Sequence, residues 1–237
     1  MTRTNELKKL DSIFQSTDSS LVLMYGRLGS SKETLLGDFT TGKTYFYYRS
    51  RQCSEEKQLK YLSDQLSAAF NVAKGDSYDD CFKQLSTKDG SKLVVIIDEA
   101  QYSIKKGGSL FQSLVSLKKE YNGKIMIIVV SSSIVWAEHS LPEIIGSTKS
   151  AFTDTIKLEN LSFLDVVRAF PSYSVAQCVS TYGIIGGVSE YVERWNGRRT
   201  IKQNVCENIL SPNGFYTPLL KVIFHLSLES FPATTRF

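Results

Sequence analysis

The chain has 237 residues, 42% of them hydrophobic, enough to bury the core of one α/β domain or of a larger domain with a small appendage. With 28 Lys and Arg against 24 Asp and Glu the net charge is +4, short of the concentrated basic character of a dedicated nucleic-acid binder. Cys53, Cys81, Cys178 and Cys206 lack the spacing of a zinc site, and no apolar stretch resembles a signal core or nears the ~20 residues that span a bilayer, so a soluble cytoplasmic protein is expected.

Leu7, Leu10 and Ile13/Phe14 recur at helical spacing and predict a short amphipathic helix. Residues 21–36 then read as a buried strand, a turn and the start of a helix. The turn carries most of a Walker A pattern, G-x-x-x-x-G-K-[ST]. In that pattern backbone N–H groups cradle phosphates, Lys reaches the β and γ oxygens, and the Ser/Thr hydroxyl ligates magnesium. Gly26 and Lys32 stand in register, with Arg27, Leu28, Gly29 and Ser30 between them. Ser31 replaces the second Gly and Glu33 replaces the Ser/Thr. Ser31 weakens the loop, because a residue with a Cβ takes positive φ at a cost. Glu33 matters more: a carboxylate repels a triphosphate, although it could approach the metal itself. Thr34 carries a hydroxyl, but one residue further along a helix turns it about 100° away. By itself this segment suits a structural strand-turn-helix as well as a nucleotide site.

A second strand is predicted over 44–48 and a helix over 58–70, with Leu59, Leu62, Leu66 and Phe70 turned inward. The run 92–97 is apolar on both faces and ends in Asp98 and Glu99, a helix follows over 110–120, and a second such run over 125–130 is closed by Ser131, Ser132 and Ser133. Strands of this kind alternating with helices predict a doubly wound parallel sheet, with the ligand at the carboxyl ends of the strands. At such an end, Asp98 can hold a magnesium ion and Glu99 can polarise the water that attacks a γ-phosphate. The plain alternative is an acidic pair that closes a strand. The order of the three segments along the chain favours the first reading.

These residues carry a family resemblance. The chain resembles the archaeal-type P-loop ATPases, an AAA-related and STAND-like group found in archaea and bacteria. Arg3, Glu6, Leu7 and Leu10 are similar to its opening R-x-x-E-L-x-x-L, and Tyr25-Gly26-Arg27 to its Y-G-R lead into Walker A. The strand 44–48, the D-E-x-x-Y segment Asp98-Glu99-Ala100-Gln101-Tyr102, the sensor segment 131–133 and Gly186-Gly187-Val188-Ser189-Glu190-Tyr191 follow in the family's order. Ser189 stands where the family has Pro, and 146–152 lacks the family's G-R-R arginines, leaving Lys149 as the nearest charge.

The resemblance implies an ASCE-type P-loop NTPase core, a parallel sheet flanked by helices, over 1–158, and a small α-helical lid with a shortened C-terminal region over 159–237. Helices are expected over 161–170, 175–182 and 189–195, and the tail 227–237 matches no recognised segment. The resemblance further implies ATP and Mg2+ as cofactors. Residues 26–34 would hold the nucleotide, Asp98 the metal, Glu99 would act as base, and Ser132 or Ser133 would sense the γ-phosphate. Three readings stay open. The first is an ATP-binding protein with weak or regulated magnesium-dependent hydrolysis that drives a conformational switch. The second is an inactive relative that meets a protein partner through its lid or through a C-terminal region this chain lacks. The third is a nucleic-acid-associated ATPase, resting only on the weak net charge and on the habits of related ATPases, since Arg194, Arg198 and Arg199 read more simply as a solvated surface at a helix end.

Overall fold

The computed structural model describes residues 3–86 and 90–214; the tail 227–237 lies outside the described residues. In chain order the first unit contains α1 (Thr4–Gln15), β1 (Ser20–Gly26), α2 (Lys32–Thr40), β2 (Tyr45–Arg49), α3 (Glu55–Phe70), α4 (Tyr78–Lys83), β3 (Leu93–Asp98), α5 (Leu110–Glu120), β4 (Ile125–Ser131), α6 (Leu141–Ile145) and β5 (Asp154–Leu158). All five strands are parallel, in the order β2-β3-β4-β1-β5. The expected fold class, a parallel sheet flanked by helices, is what the chain adopts.

Every residue of β1, β3 and β4 is buried, because helices cover both faces of the sheet; this is why these segments read as continuous apolar runs. Side chains alternate between the faces. Leu21, Leu23, Val95, Ile97, Ile127 and Val129 pack with Leu62, Leu66, Leu110 and Leu114. Val22, Met24, Val94, Ile96, Ile128 and Val130 pack with Leu10, Leu35, Leu36 and Phe39. The order of strands also positions the site. β4 separates β1 from β3, so Ser131, paired with Tyr25, ends its strand between the loop after β1 and the acids after β3.

Several boundaries differ from expectation, two of them in the first unit with a clear local cause. α3 starts at Glu55 rather than 58, because the Ser54 hydroxyl caps it by accepting the Lys57 N–H at 3.4 Å. β2 runs one residue further than 44–48 suggested, and its last residue, Arg49, pairs with Asp98.

The contacts of the chain divide between Glu159 and Asn160. Beyond that point come α7 (Phe163–Ala169), α8 (Val175–Ile185), α9 (Ser189–Arg194) and α10 (Ile201–Val205), around a small core of Val166, Phe170, Ile185, Val192 and Trp195. Capping boxes start α7, α8 and α10, from Ser162, Ser174 and Thr200. Ser189 is the first residue of α9, the position where a Pro also fits because its missing N–H is not needed, so the helix start survives the exchange. Among the described residues no helix is long and apolar enough to cross a membrane.

Candidate functional site

Gly26 closes β1 beside Leu158 of β5. A Cβ there would meet the Leu158 Cβ and carbonyl oxygen at 2.8 Å and the Ser30 hydroxyl at 2.9 Å, so only glycine lets the loop pass. Gly29 follows with φ +80°, and Ser31 takes φ +59°, the left-handed conformation of the glycine it replaces. Its hydroxyl is buried without a hydrogen-bond partner. Ser31 therefore carries both a conformational cost and an unsatisfied donor. Ser31→Gly is expected to stabilise the chain by about 1 kcal/mol, read as a higher denaturant midpoint; no gain would mean that the loop relaxes out of this conformation in solution.

α2 starts at Lys32, which is 8% exposed. Its ammonium folds back into the loop and donates to the carbonyls of Gly26 at 3.0 Å and Arg27 at 2.9 Å and to the Ser30 hydroxyl at 3.3 Å. Burial lowers its pKa, against the opposing pull of Glu99, Asp98 and Glu33. Arg27, Leu28 and Thr34 are exposed. The structure thus ties Gly26, Ser30 and Lys32 together by hydrogen bonds, with Ser31 beside them at the N-terminus of α2, and leaves the side chains of Arg27, Leu28 and Thr34 in solvent.

Opposite stand the acids. Asp98 is 3% exposed; its Oδ1 accepts the Glu99 N–H at 2.9 Å and its Oδ2 accepts the Tyr47 hydroxyl at 2.6 Å. Burial raises the pKa of Asp98, and burial with the Asp98 hydrogen bond raises that of Tyr47. Glu99 sits at φ +51°, and its Oε2 accepts hydrogen bonds from the Ser132 hydroxyl and the Gln101 amide, both at 2.5 Å. The Ser131 hydroxyl donates to Gln101 Oε1 at 2.8 Å, so Ser131, Gln101, Glu99 and Ser132 form one network linking the ends of β3 and β4. Ser133 does something else: its hydroxyl accepts the Trp136 N–H at 3.2 Å and shapes the turn after β4.

Glu33 and Arg49 complete the site. Arg49 Nη1 donates to Glu33 Oε1 at 2.9 Å, while Nη2 lies 3.8 Å from Glu99 Oε1 and Nε 3.9 Å from Asp98 Oδ2. Tyr47, Arg49 and Gln101 had not been singled out in the sequence. Tyr47 lies inside the predicted strand 44–48, Arg49 lies just past it, and Gln101 fills an unspecified position of D-E-x-x-Y.

Comparison with known proteins places this geometry. A model of an ATPase domain predominantly from Archaea matches residues 1–194. The chain belongs to that family. It is therefore a domain of the P-loop ATPase class. An uncharacterized protein of Methanocaldococcus jannaschii is 26% identical over 195 residues, 81% of this chain and 43% of its own length, so the chain spans less than half of that relative. Among solved structures, the Walker-type ATPase of Pyrococcus abyssi superposes with a TM-score of 0.62 at 15% identity, covering 97% of this chain and 76% of its own. The ORC2 protein of Aeropyrum pernix in ADPNP–ADP complexes gives 0.55 at 19% identity, over 70% of this chain and 50% of that one. The ORC1 protein of the same organism in complex with DNA gives 0.58 at 12%, over 98% and 69%. At such identities the likeness to solved structures is one of fold.

The residues present fit a nucleoside triphosphate: a buried ammonium, an unpartnered buried hydroxyl and the start of a helix face the same loop. They fit a magnesium ion poorly. Glu33 replaces the hydroxyl ligand, one acceptor site on each Asp98 oxygen is already taken, and among the described residues no three His, Cys, Asp or Glu side chains form a metal set.

Proposed function

We propose that this chain binds ATP through residues 26–34 and acts as a nucleotide-gated module with weak turnover. The observation that carries the proposal is Lys32, a buried cation whose hydrogen bonds go to two carbonyls and a hydroxyl of its own loop. A phosphate would supply the negative partner that those neutral groups lack, and charge-assisted hydrogen bonds are the stronger kind. In this reading Lys32, the Ser30 and Ser31 hydroxyls and the loop N–H groups bind the phosphates, while Arg27, Leu28, Gly29, Glu33 and Thr34 contribute backbone and shape.

Glu99 is the base of this scheme, with Ser132 as the residue that reports on the γ-phosphate. Weak turnover follows from their mutual engagement: before Glu99 can take a proton from water through Oε2, that oxygen must leave Ser132 and Gln101. Release of this network on nucleotide binding is the proposed switch. Of the three arginines considered for a nucleic acid, Arg199 is already paired with Glu207.

Calorimetric titration of the chain with ATP tests the proposal. Saturable binding with Kd of about 1 μM to 1 mM is expected, together with turnover below ~1 s⁻¹ that Glu99→Gln abolishes. Absence of any binding heat, or turnover indifferent to Glu99→Gln, would remove it.

A further inference from the structure

We infer that Arg49 is the resident cation of this site and that ATP binds here without a magnesium ion. The inference rests on the nucleotide reading above and concerns how that site is neutralised. Three carboxylates, Glu33, Asp98 and Glu99, surround the place where phosphates would enter beside Lys32, and a triphosphate adds further negative charge. Ordinarily a divalent ion makes such an assembly tolerable. Here its ligands are diverted. The hydroxyl ligand is missing at Glu33, and one acceptor site on each Asp98 oxygen is taken, by the Tyr47 hydroxyl and by the Glu99 N–H.

Arg49 answers the same electrostatic need. Each of three different nitrogens of one guanidinium faces a different carboxylate: Nη1 faces Glu33 at 2.9 Å, Nη2 faces Glu99 at 3.8 Å and Nε faces Asp98 at 3.9 Å. The register of the sheet fixes this placement, since Arg49 is the last residue of β2 and pairs with Asp98. A guanidinium stays charged at any pH the protein survives and spreads its charge over a planar fork, which suits several carboxylates at once. Its tie to Glu33 is the decisive contact. Glu33 is the substitution that should repel a phosphate, and Arg49 neutralises it while leaving the Lys32 ammonium for the nucleotide.

The competing explanation is that Arg49, half-exposed, makes an ordinary surface ion pair with no bearing on ligands. Titrations of the full chain with ATP, in excess magnesium and in excess EDTA, separate the two. The native chain should bind with the same Kd in both media, within about twofold, and Arg49→Ala should weaken binding in EDTA by about tenfold or more. Glu33→Gln should remove most of the penalty of Arg49→Ala when the two are combined, because the charge Arg49 neutralises is then gone. Magnesium tightening of the native chain by tenfold or more, or Arg49→Ala with unchanged affinity in EDTA, overturns the inference. Binding in neither medium removes the ATP reading itself, and the inference falls with it. Should Arg49→Ala fail to fold, the comparison of the two media on the native chain decides.

Discussion

Lys32→Ala is expected to weaken ATP binding by about 100-fold or more while the fold persists. The size follows from charge: a hydrogen bond from an ammonium to a phosphate oxygen is worth about 1.5–3 kcal/mol, so two of them exceed two decades in Kd. The fold persists because the substitution has opposing effects on the free protein. It removes three hydrogen bonds to the loop, but it also removes a buried cation whose hydrogen-bond partners are uncharged. Circular dichroism should therefore show a native spectrum in a protein that no longer takes up ATP. The pH dependence of the native chain adds a second readout. Burial holds the Lys32 pKa below its ordinary value of 10.5, so ATP affinity should be full at neutral pH and fall as pH rises toward that lowered value, earlier than for an exposed lysine. A Lys32→Ala protein that binds ATP like the native chain would return the loop to the status of a structural turn.

The sheet and its loop were legible in the sequence because burial on both faces leaves little freedom. Only apolar, mostly β-branched residues fit 93–97 and 125–130, and only glycine fits at 26. Lys32, Asp98 and Glu99 could be read from motif spacing, which register in the sheet then brings together. What escaped was the set of groups that depends on neighbouring strands. Arg49 was taken to lie just past its strand, and a shift of a single residue placed it opposite Asp98. Tyr47 acts through Asp98, 51 residues away, and Gln101 joins its neighbour Glu99 to Ser131, 30 residues away, so no local pattern announces them. The same applies to the division of labour among the three serines. Their sequence is uniform, yet Ser131 holds Gln101, Ser132 holds Glu99 and Ser133 caps the next turn. Among the helices that escaped or shifted, α4, α6, α10 and the start of α3 are short or set by a cap rather than by apolar periodicity.

Gly187→Ala should unfold the unit that begins at Asn160 and spare the ATP site. A Cβ at Gly187 would lie 1.9 Å from the Leu161 carbonyl oxygen and 2.9 Å from its backbone carbon and nitrogen, and the Leu161 N–H donates to the Gly187 carbonyl at 2.7 Å. These are backbone atoms, which cannot swing aside as a side-chain tip would. The two segments must separate, and the buried cluster of Val166, Phe170, Ile185, Val192 and Trp195 opens with them. Overpacking of this kind costs about 3 kcal/mol, a large share of what so small a core contributes. The chain has two tryptophans, and both are buried, Trp136 in the first unit and Trp195 in the second. Loss of Trp195 burial would therefore appear as a red-shifted component beside unchanged Trp136 emission. Gly186→Ala provides the control: with φ +59° and ψ −154° but nothing within 4 Å of a new Cβ, it should cost only the backbone strain, about 1–3 kcal/mol, without parting the two segments. Because Gly26, Lys32, Arg49, Asp98 and Ser132 all lie before Asn160, ATP titration of Gly187→Ala should retain far more binding than Lys32→Ala does. Binding lost to the same degree in both would instead make residues beyond Asn160 part of the nucleotide site.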